Sequence, residues 1–135
     1  MHVVSGTPVG ELHQVIQERG LTQFFRSIQG APATKRDAFH RIAMEEGYAR
    51  KEMLVVGDSI TEYMAAQDVG IPFLGIVSAR IENPFSASVH VWPTLLNAEK
   101  RLRIELARRR HANQCRIFLK TDLPICTLPR YEIGT

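Results

Sequence analysis

Residues 53–63 read MLVVGDSITEY, an apolar run that breaks at Gly57 into an acid and two hydroxyls. Four apolar residues bounded by glycine suit a buried strand, Met53 to Val56. From Ile60 to Val69 the spacing turns helical and stops at Gly70. Asp58 and Ser59 therefore sit where a strand hands over to a helix. Parallel strands direct all their C-terminal ends to one edge, which is where α/β proteins keep their chemistry.

The same grammar continues on both sides. Downstream, PFLGIV at 72–77 reads as a third buried strand, and VHVWP as a short edge strand. Upstream, HVVSGTP is a short apolar run arriving at a loop. Thr7 and Pro8 are expected as N-cap and first residue of a helix that carries Val9, Leu12, Val15 and Ile16 on one face and ends at Gly20. Thr34 and Asp37 have capping-box-like spacing before a second helix, with Phe39, Ile42 and Ala43 inward and Gly47 as its stop. Strands alternating with helices imply a parallel sheet covered on both faces, with right-handed crossovers that put Ser5, Asp58 and Ser59 on a shared edge. Residues 94–112 carry a helix pattern with Leu95, Ala98, Leu102 and Leu106 inward and basic residues outward. The last twenty residues contain one further strand candidate and have no clear place.

A chain of 135 residues with 44% hydrophobic content is the size of one globular domain. The net charge of +3 is concentrated after Glu99, in a run that includes Arg108, Arg109 and Arg110. Such a run suits a solvated helix end; nucleic-acid binding would need more basic residues on one face with aromatics between them. Cys115 and Cys126 have neither CxxC spacing nor a matching histidine cluster, which fits a reducing cytoplasm. No apolar run approaches the length that spans a bilayer as a helix, and no Gly-x-Gly-x-x-Gly follows a strand.

Three segments in order resemble motifs of the haloacid dehalogenase (HAD) superfamily, particularly its phosphoglycolate phosphatase-like branch. VVSGTP is similar to the second motif, GAPATKRDAF to the third, and VVGDSITEYMAAQDVGIPFLGIV to the fourth with the helix and strand that follow it. The resemblance covers residues 2 to about 78 and implies the C-terminal half of a Rossmann-like (HAD-like) core. It implies a magnesium-dependent phosphatase, a hydrolase of small phosphorylated substrates. Ser5 and Gly6 would hold a phosphate oxygen, Lys35 would balance phosphate and nucleophile, and Asp58 with Glu62 would hold magnesium. These types belong together chemically, because phosphoryl transfer asks mainly for charge neutralisation and positioning.

Two departures stand out. Glu62 replaces the usual second Asp, and the Asp-x-Asp motif that carries the nucleophile is absent: no two of Asp37, Asp58, Asp68 and Asp122 are two residues apart. In that family the nucleophile's strand lies between the one ending at Ser5 and the one ending at Asp58. The expectation is thus a truncated core over residues 1–93, its sheet incomplete at the central strand, with a basic helix and tail over 94–135. It would be inactive alone and would self-associate or take a strand from another chain. A non-catalytic binding or assembly partner is the alternative. A further alternative is an SGNH-type esterase with Ser59 as nucleophile, but its Asp-x-x-His spacing, Asp37 to His40, precedes the serine instead of following it. Receiver domains order acid, hydroxyl and lysine differently from the Ser5, Lys35, Asp58 order here. Ser59 is expected as an N-cap, the five histidines as surface or boundary residues, and Phe85 with Trp92 as packing under a loop.

Overall fold

The computed structural model describes residues 1–94 and the backbone of 116–119. The sheet is built from β1 (His2–Pro8), β2 (Ser27–Ala31), β3 (Met53–Gly57), β4 (Phe73–Ile76), β5 (Val91–Trp92) and β6 (Arg116–Leu119). Three α-helices connect the first four strands: α1 (Val9–Glu18), α2 (Lys35–Glu46) and α3 (Ile60–Val69). All pairings are parallel, in the order β2-β1-β6-β3-β4-β5. The protein is therefore an α/β domain.

Adjacent residues of β1 show how the sheet is covered. Val4 joins Phe39, Ile42, Met53, Val55, Ala66 and Val69 in a core beneath α2 and α3. Val3 joins Leu12 and Ile16 of α1, with Ile28 packed against them. Successive strand residues point to opposite faces, so α1 lies on one face and α2 with α3 on the other. Burying these apolar faces is the main favourable contribution to such a fold.

The helix signals act as read at two of three starts. Thr34 is the N-cap of α2, its hydroxyl accepting from Asp37 N at 3.1 Å while donating to the Asp37 carboxylate at 2.7 Å. Ser59 is the N-cap of α3, and left-handed Gly47 and Gly70 end α2 and α3. The first helix differs. Pro8, not Thr7, is its N-cap, and no side chain caps it, because the Thr7 hydroxyl is engaged with Ser5.

Strand β2 was not foreseen. SIQGA has no continuous apolar run; it is a sheet-edge strand held by its ladder to β1 and by the Ile28 contact. VW at 91–92 is the other edge, as expected, and Phe85 packs on Gly75 and against the rings of Tyr63 and Phe73, with centroids 5.9 and 5.3 Å away. His2 departs from the surface expectation. It is 1% exposed, its Nδ1 2.8 Å from Ser27 Oγ.

The expectation of a sheet lacking its central strand is overturned. Residues 116–119 pair with both neighbours, His2 with Phe118 on one side and Met53 to Val56 with Arg116 to Leu119 on the other. The chain's own C-terminal region supplies the strand that its first ninety residues lack. The helix expected over 94–112 lies outside the described residues.

Two stability measurements follow from this packing. Phe39 is 1% exposed at the centre of the larger core; Phe39→Ala is expected to cost about 3–5 kcal/mol in urea unfolding. Glu46 accepts from the Tyr48 hydroxyl at 3.0 Å and pairs with Arg26 at 2.6 Å. Burial acts to raise its pKa, but the Tyr48 hydrogen bond and the charges of Arg26 and His2 outweigh it and hold the carboxyl below its usual value. A carboxyl more acidic in the folded state stabilises above its unfolded pKa, and that contribution is lost as pH falls through the folded one. Acid titration of the melting temperature should therefore fall less steeply below the ordinary carboxylate range in Glu46→Gln than in the parent.

Candidate functional site

The end of β1 is not a plain strand. Its ladder with β2 runs to Val4 opposite Gln29 and resumes at Pro8 opposite Ala31, so Ser5, Gly6 and Thr7 bulge out opposite Gly30. A Cβ on Gly30 would meet Thr7 O at 2.6 Å and Val9 Cα at 2.7 Å, so this approach of two backbones requires glycine. Ser5 is 2% exposed. Its hydroxyl donates to Thr7 Oγ1 at 3.1 Å and accepts from Thr7 N at 3.2 Å, a local turn that fixes the serine's rotamer.

Lys35 is the first residue of α2 and reaches across to α3. Its ammonium pairs with Glu62 Oε1 and lies 3.4 Å from Thr61 Oγ1. The lysine side chain is 17% exposed and the glutamate 3%, so the pair is largely removed from water. Removing one partner of such a pair leaves an uncompensated buried charge, which is far costlier than the pair itself is stabilising. The other Glu62 oxygen accepts from Ser59 N at 3.2 Å, satisfying a helix-start donor. Both Glu62 oxygens are therefore engaged within the protein.

The local backbone explains how a glutamate fits there. A Cβ on Gly57 would fall on the Glu62 carboxylate, with Cδ only 3.0 Å away. The glycine that ends the strand leaves room for the glutamate to fold back beneath it, and the extra methylene over an aspartate takes the carboxylate to Lys35. Asp58, the next residue in the chain, is half-buried.

The expected residues thus fall into two groups at one sheet edge. Lys35 and Glu62 are joined directly, Asp58 directly follows β3 in the chain, and Ser5 and Gly6 belong to the β1 bulge, with β6 placed between β1 and β3. Thr61 is not singled out by the sequence reading, and Thr7 is read there only as a helix cap; the hydroxyl spacing of SIT and SGT was the available signal. Among the described residues no group of three or more His, Cys, Asp or Glu is arranged to hold a metal ion. Asp58 has the donor chemistry that magnesium takes, together with water and phosphate oxygens. Glu62 fits less well as a ligand, since its oxygens are spent on Lys35 and Ser59.

The esterase arrangement finds no geometric support. Ser59 Oγ is 3.0 Å from Thr61 Oγ1, whereas Asp37 is bound to Thr34 and His40 Nδ1 lies 3.1 Å from Arg50 Nη2. No protein-family model matches this chain, and no curated protein matches it. No helix among the described residues is long and apolar enough to cross a membrane.

Gly57→Ala should expel the Glu62 carboxylate from its place. The expected cost is about 1–3 kcal/mol, the range for overpacking a tight site, with a shift of the Lys35 ammonium signal in NMR matching that of Glu62→Gln. An unchanged Lys35 signal in Gly57→Ala would contradict the close approach described.

Proposed function

We propose that the chain is a HAD-like phosphatase core element, whose inherited ligands are a phosphomonoester and magnesium. The observation that carries the reading is the fixed Lys35 ammonium, held by Glu62 of the helix that follows Asp58, at the sheet edge that also bears the Ser5 bulge. A lysine anchored by a buried carboxylate presents an oriented point charge, and a phosphate needs little more than such charges and a few donors. The Ser5 hydroxyl and the Gly6 and Thr7 region would receive a phosphate oxygen, as turns of backbone N–H groups do. Magnesium, when bound at Asp58, would neutralise phosphate charge. A Rossmann-like classification belongs to this same reading.

Among the described residues the covalent half of such a reaction has no carrier. A phosphoryl group needs an attacking carboxylate, and Asp58 in this reading is committed to the metal. The proposal is therefore phosphate and magnesium binding without turnover. The second reading, a non-catalytic assembly partner, draws on β6, which ties both halves of the sheet together with a segment from far along the chain.

Calorimetric titration with inorganic phosphate in magnesium separates the two. Lys35→Met and Asp58→Asn should each weaken phosphate binding about 10- to 100-fold, the worth of one charge-assisted contact. Hydrolysis of p-nitrophenyl phosphate should stay at background. Magnesium-dependent turnover lost in Asp58→Asn would show that the reaction is complete after all, and phosphate binding indifferent to both substitutions would favour the assembly reading.

A further inference from the structure

Strand β2 ends the sheet, and among the described residues its outer edge has no partner strand. Alternate residues of Ser27–Ala31 therefore turn their N–H and C=O groups away from β1. Sheet edges are usually blunted by charges, by proline or by a bulge. SIQGA holds no charged residue and no proline, and the extra residues of the bulge belong to β1. The edge is a template for one more strand.

What stands beside it selects the strand that fits. Gln29 lies on the α2 face, since its Oε1 accepts from Arg41 Nη1 at 3.2 Å, whereas Ile28 packs with Val3, Leu12 and Ile16 on the α1 face. Arg41 is exposed and its contact is with a neutral amide; the ion pairs among the described residues are those of Arg26 with Glu46 and Lys35 with Glu62. A guanidinium carries several N–H donors in a planar fork, and the Gln29 contact uses only part of them. Gln29, Gly30 and Arg41, with Val9 and Pro32, line a groove of about 390 Å³ at this end of the strand. On an added strand, the side chain opposite Gln29 would share its face, with Cβ atoms about 5 Å apart, and so meet the guanidinium. The residues on either side of it would point to the face that carries Ile28 and α1.

We propose that the β2 edge takes an extended peptide segment with an acidic side chain between two apolar ones, the acid opposite Gln29 and paired with Arg41. Charge selects this occupant over a second copy of the chain. Two β2 strands paired antiparallel about Gln29 would bring their Arg41 guanidiniums together at the two-fold axis, and like charges so placed are destabilising. Parallel self-pairing would not close on itself. An acid in the same place converts that repulsion into an ion pair. Main-chain bonds then supply affinity, and the alternating side chains supply selectivity. The inference concerns the sheet edge and is independent of the phosphate reading.

A capped synthetic peptide, Thr-Val-Glu-Val-Thr, titrated into the isotope-labelled full chain and followed by NMR, tests it. Saturable shifts at the amides of Ser27–Ala31 are expected. Replacing the peptide's Glu by Gln should weaken binding about two- to fivefold, the worth of an exposed ion pair, and the same replacement should make no difference to binding by the Arg41→Gln chain. Methylating the backbone nitrogens of one of the two alternate sets of peptide residues should abolish binding, while its charge and side chains stay the same. The proposal is overturned by the absence of saturable shifts in β2 up to about 1 millimolar peptide, or by a Gln peptide that binds the parent chain as tightly as the Glu peptide. Binding kept by both methylated forms also overturns it, reducing the site to a carboxylate contact at Arg41. Sedimentation equilibrium gives the remaining outcome: a dimer that the peptide fails to dissociate would assign the edge to a second copy.

Discussion

Backbone hydrogen bonding in the centre of the sheet is the constraint on which everything else rests. A parallel strand has to be paired on both sides or covered, and the backbone groups along the facing edges of β1 and β3 are met by a neighbouring strand. The four residues of β6 satisfy both edges at once. Their position also sets the spacing of the site, because one strand's width separates the bulge at Ser5 from the turn at Asp58. A sheet closed directly from β1 to β3 would bring these two ends one strand closer.

At the edge itself, charge is arranged by exclusion of water. Glu62 is 2% exposed, yet both of its oxygens are hydrogen-bonded, one to Lys35 and the other to the Ser59 amide. Burial makes each of these interactions stronger and makes the loss of any one costly. The consequence is rigidity: Lys35 is tied to the start of α3 instead of sampling solvent, and α2 and α3 are linked at their N-terminal ends as well as through Phe39, Ala65 and Ala66 in the core. A helix pair fixed at both core and rim is a firm support for a binding edge.

Much of this was legible in the sequence because local rules and tertiary structure agree. MLVVG, the Thr34 and Ser59 caps and the glycine stops after α2 and α3 each report a backbone requirement that does not depend on distant residues. The failures are equally local in origin. SIQGA is an edge strand with little apolar signal, and its pairing comes from β1 rather than from its own composition. Thr7 was assigned to a helix cap that the Ser5 hydroxyl instead claims. Glu62 reads in the sequence as the metal ligand that the resemblance implies; its burial depends on Gly57, whose missing side chain matters only once the helix folds back over the strand end. The placement of RIFL was beyond reach for a stronger reason: a strand's position in a sheet is set by which edges are vacant, and that is a property of the whole fold.

The central strand also separates two ideas that a motif comparison merges. Ser5, Lys35 and Asp58 keep the order along the chain that the resemblance implies, and the strands that carry or precede them run parallel. The element between them, however, comes from the far end of the sequence. A site edge of this kind is conserved in its geometry by the ladder alone, since any strand of suitable length in the slot holds β1 and β3 apart by the same distance. The spacing of this edge therefore follows from backbone pairing, which the chain satisfies, and is separate from any chemistry that side chains at the edge would supply.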